Sequence, residues 1–99
     1  MKVPLAAVAD LRADQPQEVD FFGRSVLLIE AEGHYNAFIN TCTHAGGPLL
    51  FESGRFRCEW HNAFFNARSG QREDGPAPFP LIRLPTRIED GQLVYVYGE

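Results

Sequence analysis

Turn-forming residues recur along this chain at short intervals and leave room only for short extended segments. Four dipeptides typical of tight turns divide the sequence: Glu32-Gly33, Ser53-Gly54, Ser69-Gly70 and Asp90-Gly91. The segments between them are rich in β-branched and aromatic residues, and none has the periodicity of a helix longer than one or two turns. This spacing is typical of small antiparallel sandwiches and barrels. The sequence therefore predicts an all-β fold.

The predicted strands are short and are separated by turns or irregular segments. They cover residues 3–8, 18–22, 25–30, 35–39, 55–58, 63–66, 84–89 and 92–97. Residues 10–16 carry two aspartates and a proline, which favour a turn or a single helical turn. Residues 75–80 contain three prolines. Because proline lacks the backbone donor that a sheet interior requires, this segment is predicted to be a loop.

The size and charge of the chain limit its organisation and its partners. Its 99 residues suffice for a single domain covering residues 1–99. The net charge of −4, from 13 acidic and 9 basic residues, argues against nucleic acid or an anionic membrane surface as a partner. No apolar leader is visible in residues 1–15, and no run of about eighteen apolar residues occurs. We therefore expect a soluble, cytoplasmic protein.

Two compact cysteine–histidine pairs carry the chemistry of the sequence. Cys42 lies two residues before His44, and Cys58 lies three residues before His61. In a cytoplasmic chain, two cysteines more often indicate metal or redox chemistry than a structural disulfide. A Cys42–Cys58 disulfide would also leave the paired histidines unexplained. We therefore interpret the four residues as ligands of a metal centre.

Two kinds of metal centre accept two thiolates and two imidazoles. Zinc takes this ligand set, but its motifs usually pair cysteine with cysteine and histidine with histidine. In this chain each pair is mixed. A two-iron, two-sulfide cluster explains the mixture, because each segment can give its thiolate to one iron and its imidazole to the other. A structural zinc module used for interaction is the alternative.

The two pairs and their flanks resemble the Rieske iron–sulfur family. Residues 40–49 are similar to the family's first cluster-binding loop, and residues 58–66 to the second, including Trp60 before His61. Ser69-Gly70 falls where the family closes its next turn. Residues 75–78 resemble the proline-containing loop that covers the cluster in many members. The resemblance spans residues 25–96, most of the chain.

This resemblance implies a fold, a cofactor and a role. The fold is a small antiparallel β-sandwich or barrel, whose cluster-binding subdomain, at about residues 40–80, consists of two loops and the proline-containing loop. The cofactor is one [2Fe-2S] cluster per chain, held by Cys42, His44, Cys58 and His61. The role is that of a ferredoxin carrying one electron between a flavin-dependent reductase and a terminal oxygenase, as in ring-hydroxylating dioxygenase systems. No nucleophile or catalytic base motif is visible, so we expect an electron carrier and not an enzyme.

Some positions depart from the family pattern without removing a ligand. Thirteen residues separate His44 from Cys58, a few fewer than is common, which predicts a shortened hairpin between the two loops. Asn62 stands where glycine is frequent, and asparagine tolerates a positive φ better than most residues. Glu59 replaces a frequent proline and adds a carboxylate beside the cluster.

Two further positions bear on the reduction potential. In the respiratory branch of the family, serine and tyrosine hydroxyls donate to cluster sulfurs and raise the potential. The matching positions here are Ala63 and Phe65, which have no such donor. That branch also carries an extra disulfide, and this chain has no spare cysteine. The resemblance therefore implies a low-potential centre, at about −150 mV.

Other candidate residues have simpler explanations. His34, beside the turn at Gly33, is expected to be a solvated hairpin residue. Five aromatic residues are expected to pack in the core or at the base of a loop rather than relay electrons: Phe21, Phe22, Trp60, Phe64 and Phe65. Four carboxylates are expected to be solvated charges: Glu30, Glu32, Glu73 and Asp74. Pro48 and Pro76 are expected to shape their loops.

Two other roles suit the same ligands. Small Rieske-like subunits of assimilatory nitrite reductases belong to the same family, although some of them lack the ligands that this chain keeps. A cluster-based redox sensor is the other role. Nothing in the sequence indicates the regulatory partner that a sensor needs.

Overall fold

The computed structural model describes residues 1–41, 48–59, 62–75 and 80–97. Within these ranges the regular structure is strand, apart from one short 3₁₀ turn at Val8–Asp10. In chain order the strands are β1 (Lys2–Ala7), β2 (Gln17–Phe21), β3 (Arg24–Ala31), β4 (His34–Ile39), β5 (Leu49–Glu52), β6 (Arg55–Cys58), β7 (Phe64–Asn66), β8 (Arg72–Asp74), β9 (Thr86–Glu89) and β10 (Gln92–Val96). They form three antiparallel sheets, so the all-β prediction is confirmed. No helix in the described ranges is long and apolar enough to cross a membrane.

The sheet β2-β3-β4 is the middle layer of the molecule, and β3 is buried on both faces. Successive side chains of a strand point to opposite faces of the sheet. Val26 and Leu28 belong to the apolar cluster that includes Leu93 of β10. Leu27 and Ile29 belong to a second cluster with β6 and β7. The continuous apolar run in β3 therefore reflects burial on two sides.

The sheet β1-β10-β9 covers one face of this middle layer. Its hairpin turns at Asp90 and Gly91, whose φ angles of 51° and 76° suit a two-residue turn, as the sequence predicted. Strand β9 begins at Thr86, two residues later than predicted. The Leu84 amide donates to Ala37 of β4 instead, and Pro85 has no amide hydrogen to donate.

The four-stranded sheet β5-β6-β7-β8 covers the other face and carries the second cysteine at the end of β6. Strands β5 and β6 are joined by the two-residue turn Ser53-Gly54, so the hairpin between the two loops is short. The sequence predicted neither β5 nor β8. All three residues of β8 are exposed, so its sequence has no apolar alternation to mark it as a strand.

Phe22 corrects one expectation about the core. Strand β2 ends at Phe21, and Phe22 starts the following turn with a φ of 52°. Its side chain is 72% exposed, so the expectation that Phe22 packs in the core is wrong. Phe21 is half-buried and lies edge-to-face against Tyr95, with ring centroids 4.8 Å apart.

Candidate metal centre

Cys58 is the one predicted ligand that lies within the described ranges. It ends β6, is completely buried, and belongs to the same apolar cluster as Leu49, Phe56 and Ala63. Its thiol is free, so the alternative of a disulfide to Cys42 does not hold in this structure. A soft sulfur donor therefore sits at the edge of the core, shielded from water.

Backbone hydrogen bonds close the segment that follows Cys58. The Cys58 amide donates to the carbonyl oxygen of Ala63 at 2.8 Å, and the Asn62 amide donates to the carbonyl oxygen of Cys58 at 3.0 Å. The predicted ligand His61 lies between these anchored ends, as does Trp60, and both residues are outside the described ranges. The ends of the second loop are thus fixed by its own backbone.

The ends of the first loop are fixed to the second. Leu49 is paired with Cys58 across β5 and β6, and the Glu59 amide donates to the carbonyl oxygen of Pro48 at 3.2 Å. On the other side of the loop, Asn40 accepts a 3.0 Å hydrogen bond from the Leu49 amide through its side-chain Oδ1. The first pair of predicted ligands lies between Asn40 and Pro48. The described ends of both loops therefore meet at one place on the sheet edge.

Cys42 and His44 themselves are outside the described ranges. The prediction that they join Cys58 and His61 at one centre therefore stays a prediction. The structure describes the strand ends and the backbone hydrogen bonds at the base of the two loops.

Gly75 brings the start of the proline-containing segment against the second loop. A Cβ added at Gly75 would lie 2.6 Å from Ala63 Cα and 2.7 Å from the carbonyl oxygen of Asn62. Gly75 also has a φ of 86°, which favours glycine. The predicted loop residues from Pro76 to Pro78 lie outside the described ranges. The described start of the third segment thus lies against the base of the second loop.

Asn62 has the conformation that its glycine-like position requires. Its φ is 54°, in the left-handed region, as the tolerance of asparagine for positive φ suggested. Its side-chain Oδ1 accepts a 2.9 Å hydrogen bond from Arg57 Nη1. Sequence reasoning assigned no role to Arg57 or to Asn40. An asparagine at the start of the first loop was a usable signal, because its short side chain can bond nearby backbone groups.

The two positions compared with the respiratory branch are both completely buried. Ala63 closes the second loop, and Phe65 lies in β7 within the apolar cluster below it. The expectation that Phe65 packs in the core is confirmed. Phe64 is half-buried, and the Arg55 guanidinium lies 4.2 Å from the centroid of its ring.

His34 is exposed at the start of β4, as predicted for a hairpin residue. Its Nε2 lies 3.1 Å from Nη2 of Arg68. The Arg68 Nε is in turn 3.6 Å from a carboxylate oxygen of Glu32. Arg68 thus contacts His34 through a hydrogen bond and pairs with Glu32 on the surface, and nothing in these contacts indicates a ligand.

The remaining carboxylates behave mostly as expected. Glu73 forms a surface ion pair with Arg55 at 3.8 Å, and Asp74 accepts a hydrogen bond from the Gly75 amide at 2.8 Å. Glu30 is half-buried rather than fully solvated. Glu59 is exposed directly after the buried Cys58, so the chain passes from core to solvent in one residue.

The donor set and its setting fit an iron–sulfur cluster. A buried free thiol at the meeting point of two loop bases is suited to a thiolate ligand held away from water. The small Ala63 and the bare backbone of Gly75 keep side-chain bulk away from this edge. Cys42, His44 and His61 would supply the other ligands.

Comparison with known proteins agrees with this chemistry. Residues 1–86 match the Rieske [2Fe-2S] domain. Apoptosis-inducing factor 3 of Homo sapiens is 38% identical over 92 residues, which are 90% of this chain and 15% of that protein. The ferredoxin component of the alkene monooxygenase system of Xanthobacter autotrophicus is 30% identical over 96 residues, 93% of this chain and 78% of that protein. The solved Sphingomonas yanoikuyae B1 ferredoxin superposes with a TM-score of 0.81 at 22% identity, over 99% of this chain and 100% of that one.

This chain spans about 15% of the length of the human relative and 14% of its counterpart in Mus musculus. The family match, in contrast, covers most of the chain, and the resemblance noted in the two cysteine–histidine pairs is confirmed. The chain belongs to the Rieske [2Fe-2S] domain family, and this domain binds a [2Fe-2S] cluster.

Proposed function

We propose that this chain carries one electron at a time on a [2Fe-2S] cluster ligated by Cys42, His44, Cys58 and His61. In this proposal it connects a flavin-dependent reductase with a terminal oxygenase. The cluster, when bound, supplies reversible one-electron redox chemistry. The chain supplies ligands, position and protection from water.

One observation carries the proposal. The bases of the two ligand-bearing loops are joined through Glu59 and Pro48 and through the Leu49–Cys58 pair, and Cys58 is completely buried there. This arrangement brings the described ends of the two cysteine–histidine segments to the same sheet edge. It supports a shared centre because each segment alone offers only two donors.

The described residues suggest how the protein part of the site works. Cys58 is held by the core and by its backbone bond to Ala63, so its sulfur has little freedom to move. Glu59 and Pro48 are exposed immediately beside it. A partner that docks at this edge would therefore approach the centre closely without crossing the core.

The partner proposal is supported by relatives and by resemblance. The Xanthobacter relative is named as the ferredoxin component of an alkene monooxygenase system, and this chain covers 78% of its length. A ferredoxin component passes electrons within such a system, and we extend that role to this chain. We also propose that residues 1–99 act as a single domain, with the cluster-binding part at about 40–80, and that it works in the cytoplasm.

The proposal is tested on anaerobically purified protein. Iron, acid-labile sulfide and zinc are measured together with the visible spectrum. We then add a flavoprotein reductase from a dioxygenase system as electron donor and cytochrome c as acceptor. We expect two irons and two sulfides per chain and a rate of cytochrome c reduction that depends on the concentration of this protein.

Two results would contradict the proposal. A colourless protein with stoichiometric zinc after cluster reconstitution would favour the structural zinc module. A cluster-bearing protein that cannot accept electrons from a reductase or pass them to cytochrome c would contradict the carrier role.

A further inference from the structure

Arg57 joins the second loop to the neighbouring hairpin. It stands in β6 directly before Cys58. Its Nε forms an ion pair with the Glu52 carboxylate, and its Nη1 donates a 2.9 Å hydrogen bond to Asn62 Oδ1. One guanidinium therefore contacts both the end of β5 and the residue that follows His61.

The contacts of Arg57 distinguish it from the other arginines in surface ion pairs. Its side chain is 23% exposed, whereas the side chains of Arg12, Arg55, Arg68 and Arg87 in such pairs are 41–67% exposed. A guanidinium that is partly buried between two oriented acceptors already has few accessible conformations. It therefore loses less conformational entropy on forming its hydrogen bonds than a mobile surface side chain does. Arg57 is therefore suited to hold its acceptors in place.

Asn62 is the acceptor whose position matters most. It has a φ of 54°, its amide donates to Cys58, and its carbonyl oxygen lies against Gly75. Asparagine adopts the left-handed region more readily than most residues but less freely than glycine. The hydrogen bond from Arg57 to the Asn62 side chain therefore helps to keep Asn62 in the left-handed conformation. A glycine at this position would adopt that conformation without such help.

We propose that Arg57 is a positioning residue for the cluster site, which holds Asn62 in its left-handed conformation while Glu52 orients the guanidinium. Because Asn62 directly follows His61, its conformation sets the direction in which the chain leaves that ligand. This inference rests on the proposed function, since it concerns how the chain presents His61 to the cluster.

The matched control is Arg55. It lies two residues earlier on the same strand, and it contacts the Phe64 ring and Glu73 rather than Glu52 and Asn62. We expect Arg57→Ala to accelerate cluster loss in the presence of a chelator by about tenfold, the effect of losing a hydrogen bond to a charged group. Arg55→Ala is expected to stay within about threefold of the unmodified protein.

Hydrogen exchange gives a readout that does not depend on electron transfer. The Asn62 amide is bonded to Cys58, so in Arg57→Ala its exchange should become about tenfold faster. The amides of β3 should exchange as before. Equal acceleration at Asn62 and in β3 would mean that Arg57 only stabilises the whole fold, and this would overturn the proposal.

A double-variant cycle tests whether Arg57 acts through Asn62. Glycine adopts the left-handed conformation unaided, so we expect Arg57→Ala to add less than about twofold to cluster loss in an Asn62→Gly background. The same tenfold effect in both backgrounds would overturn the proposal. We also expect Glu52→Gln to produce an effect in the same direction as Arg57→Ala but smaller.

A further pair of variants covers the case in which Arg57→Ala does not fold. Arg57→Lys keeps the charge but lacks the planar group that reaches two acceptors at once. It should lose the cluster faster than Arg55→Lys, and equal rates would overturn the proposal. An unmodified protein that binds no iron or sulfide would overturn the proposed function itself. If the unmodified protein holds a stable cluster and the Arg57 variants lose it no faster, only the positioning role would be overturned.

Discussion

The amide nitrogen of Cys58 donates a 2.8 Å hydrogen bond to the carbonyl oxygen of Ala63, and both residues are completely buried. The bond closes the second loop at its base and anchors both of its ends in the core. The segment that contains the predicted ligand His61 therefore has both of its ends fixed in the buried core.

Ligand identity is tested by single substitutions. Cys58→Ala should remain folded, because alanine suits the apolar surroundings of Cys58, but it should lose the visible chromophore and its iron. His44→Ala and His61→Ala should do the same. His34→Ala is the control, because His34 is exposed and bonded to Arg68, and it should keep two irons per chain. Iron analysis and far-ultraviolet circular dichroism of each variant are the measurements, and iron loss in His34→Ala would contradict the assignment.

Gly75 is predicted to be intolerant of a side chain. Gly75→Ala places a Cβ 2.6 Å from backbone at Ala63 and forces alanine into a φ of 86°. The two effects together should lower the free energy of unfolding by about 2–4 kcal/mol. Gly54→Ala is the matched control: its φ is 79° but nothing lies within 4 Å, so only about 1–2 kcal/mol should be lost. Urea unfolding of both variants checks this, and equal losses would contradict the close packing at Gly75.

Ala63 bears on the reduction potential. Ala63→Ser introduces a hydroxyl at the position where the respiratory branch of the family has its serine. A hydrogen bond that favours the reduced state tenfold should raise the potential by about 60 mV. Ala67→Ser is the control, because Ala67 is similarly buried in the same cluster but lies beyond β7. Redox titration of both variants checks the prediction, and an equal shift in Ala67→Ser would count against a local effect.

Glu89 should contribute a pH-dependent term to stability. The Arg87 guanidinium, through its hydrogen bond, and then Lys2 hold the pKa of this carboxyl below its ordinary value. A pKa lowered by folding means that the ionised carboxylate stabilises the fold above the unfolded-state pKa. That contribution is lost as the pH falls through the folded-state value.

The corresponding measurement compares the unmodified protein with Glu89→Gln in denaturant unfolding between pH 7 and pH 3. The difference in unfolding free energy should be constant at neutral pH and should shrink on acidification below the ordinary pKa of 4.5. Because the carboxyl is exposed, the effect should be small. A difference that grows as the pH falls would contradict the sign of the shift.

The hairpins of this fold could be predicted because their turns depend on local conformation. Both residues have positive φ in the turns Glu32-Gly33, Ser53-Gly54 and Asp90-Gly91, and the glycine in each pair marks the turn in the sequence. The turn at Phe22 was missed because phenylalanine rarely adopts positive φ. The layering of three sheets also could not be derived, since the apolar run in β3 shows burial but not what covers each face.

The candidate site was predicted in part for a similar reason. Cys58 as a candidate ligand and the glycine-like role of Asn62 followed from motif and residue type. In the structure Cys58 is buried, and the left-handed φ of Asn62 agrees with its expected role. The contact between Arg57 and Asn62 depends on strand pairing and on the path of the loop, which no local pattern encodes. The close approach of Gly75 to Ala63 is likewise a tertiary feature.

A redox titration of the anaerobically purified protein, followed by electron paramagnetic resonance, tests most directly whether the chain holds a [2Fe-2S] cluster on two cysteines and two histidines. We expect a single one-electron transition at about −150 mV that produces the rhombic signal of a cluster with mixed cysteine and histidine ligands. A protein that stays without such a signal at every potential, and that carries zinc in place of iron, would contradict this assignment.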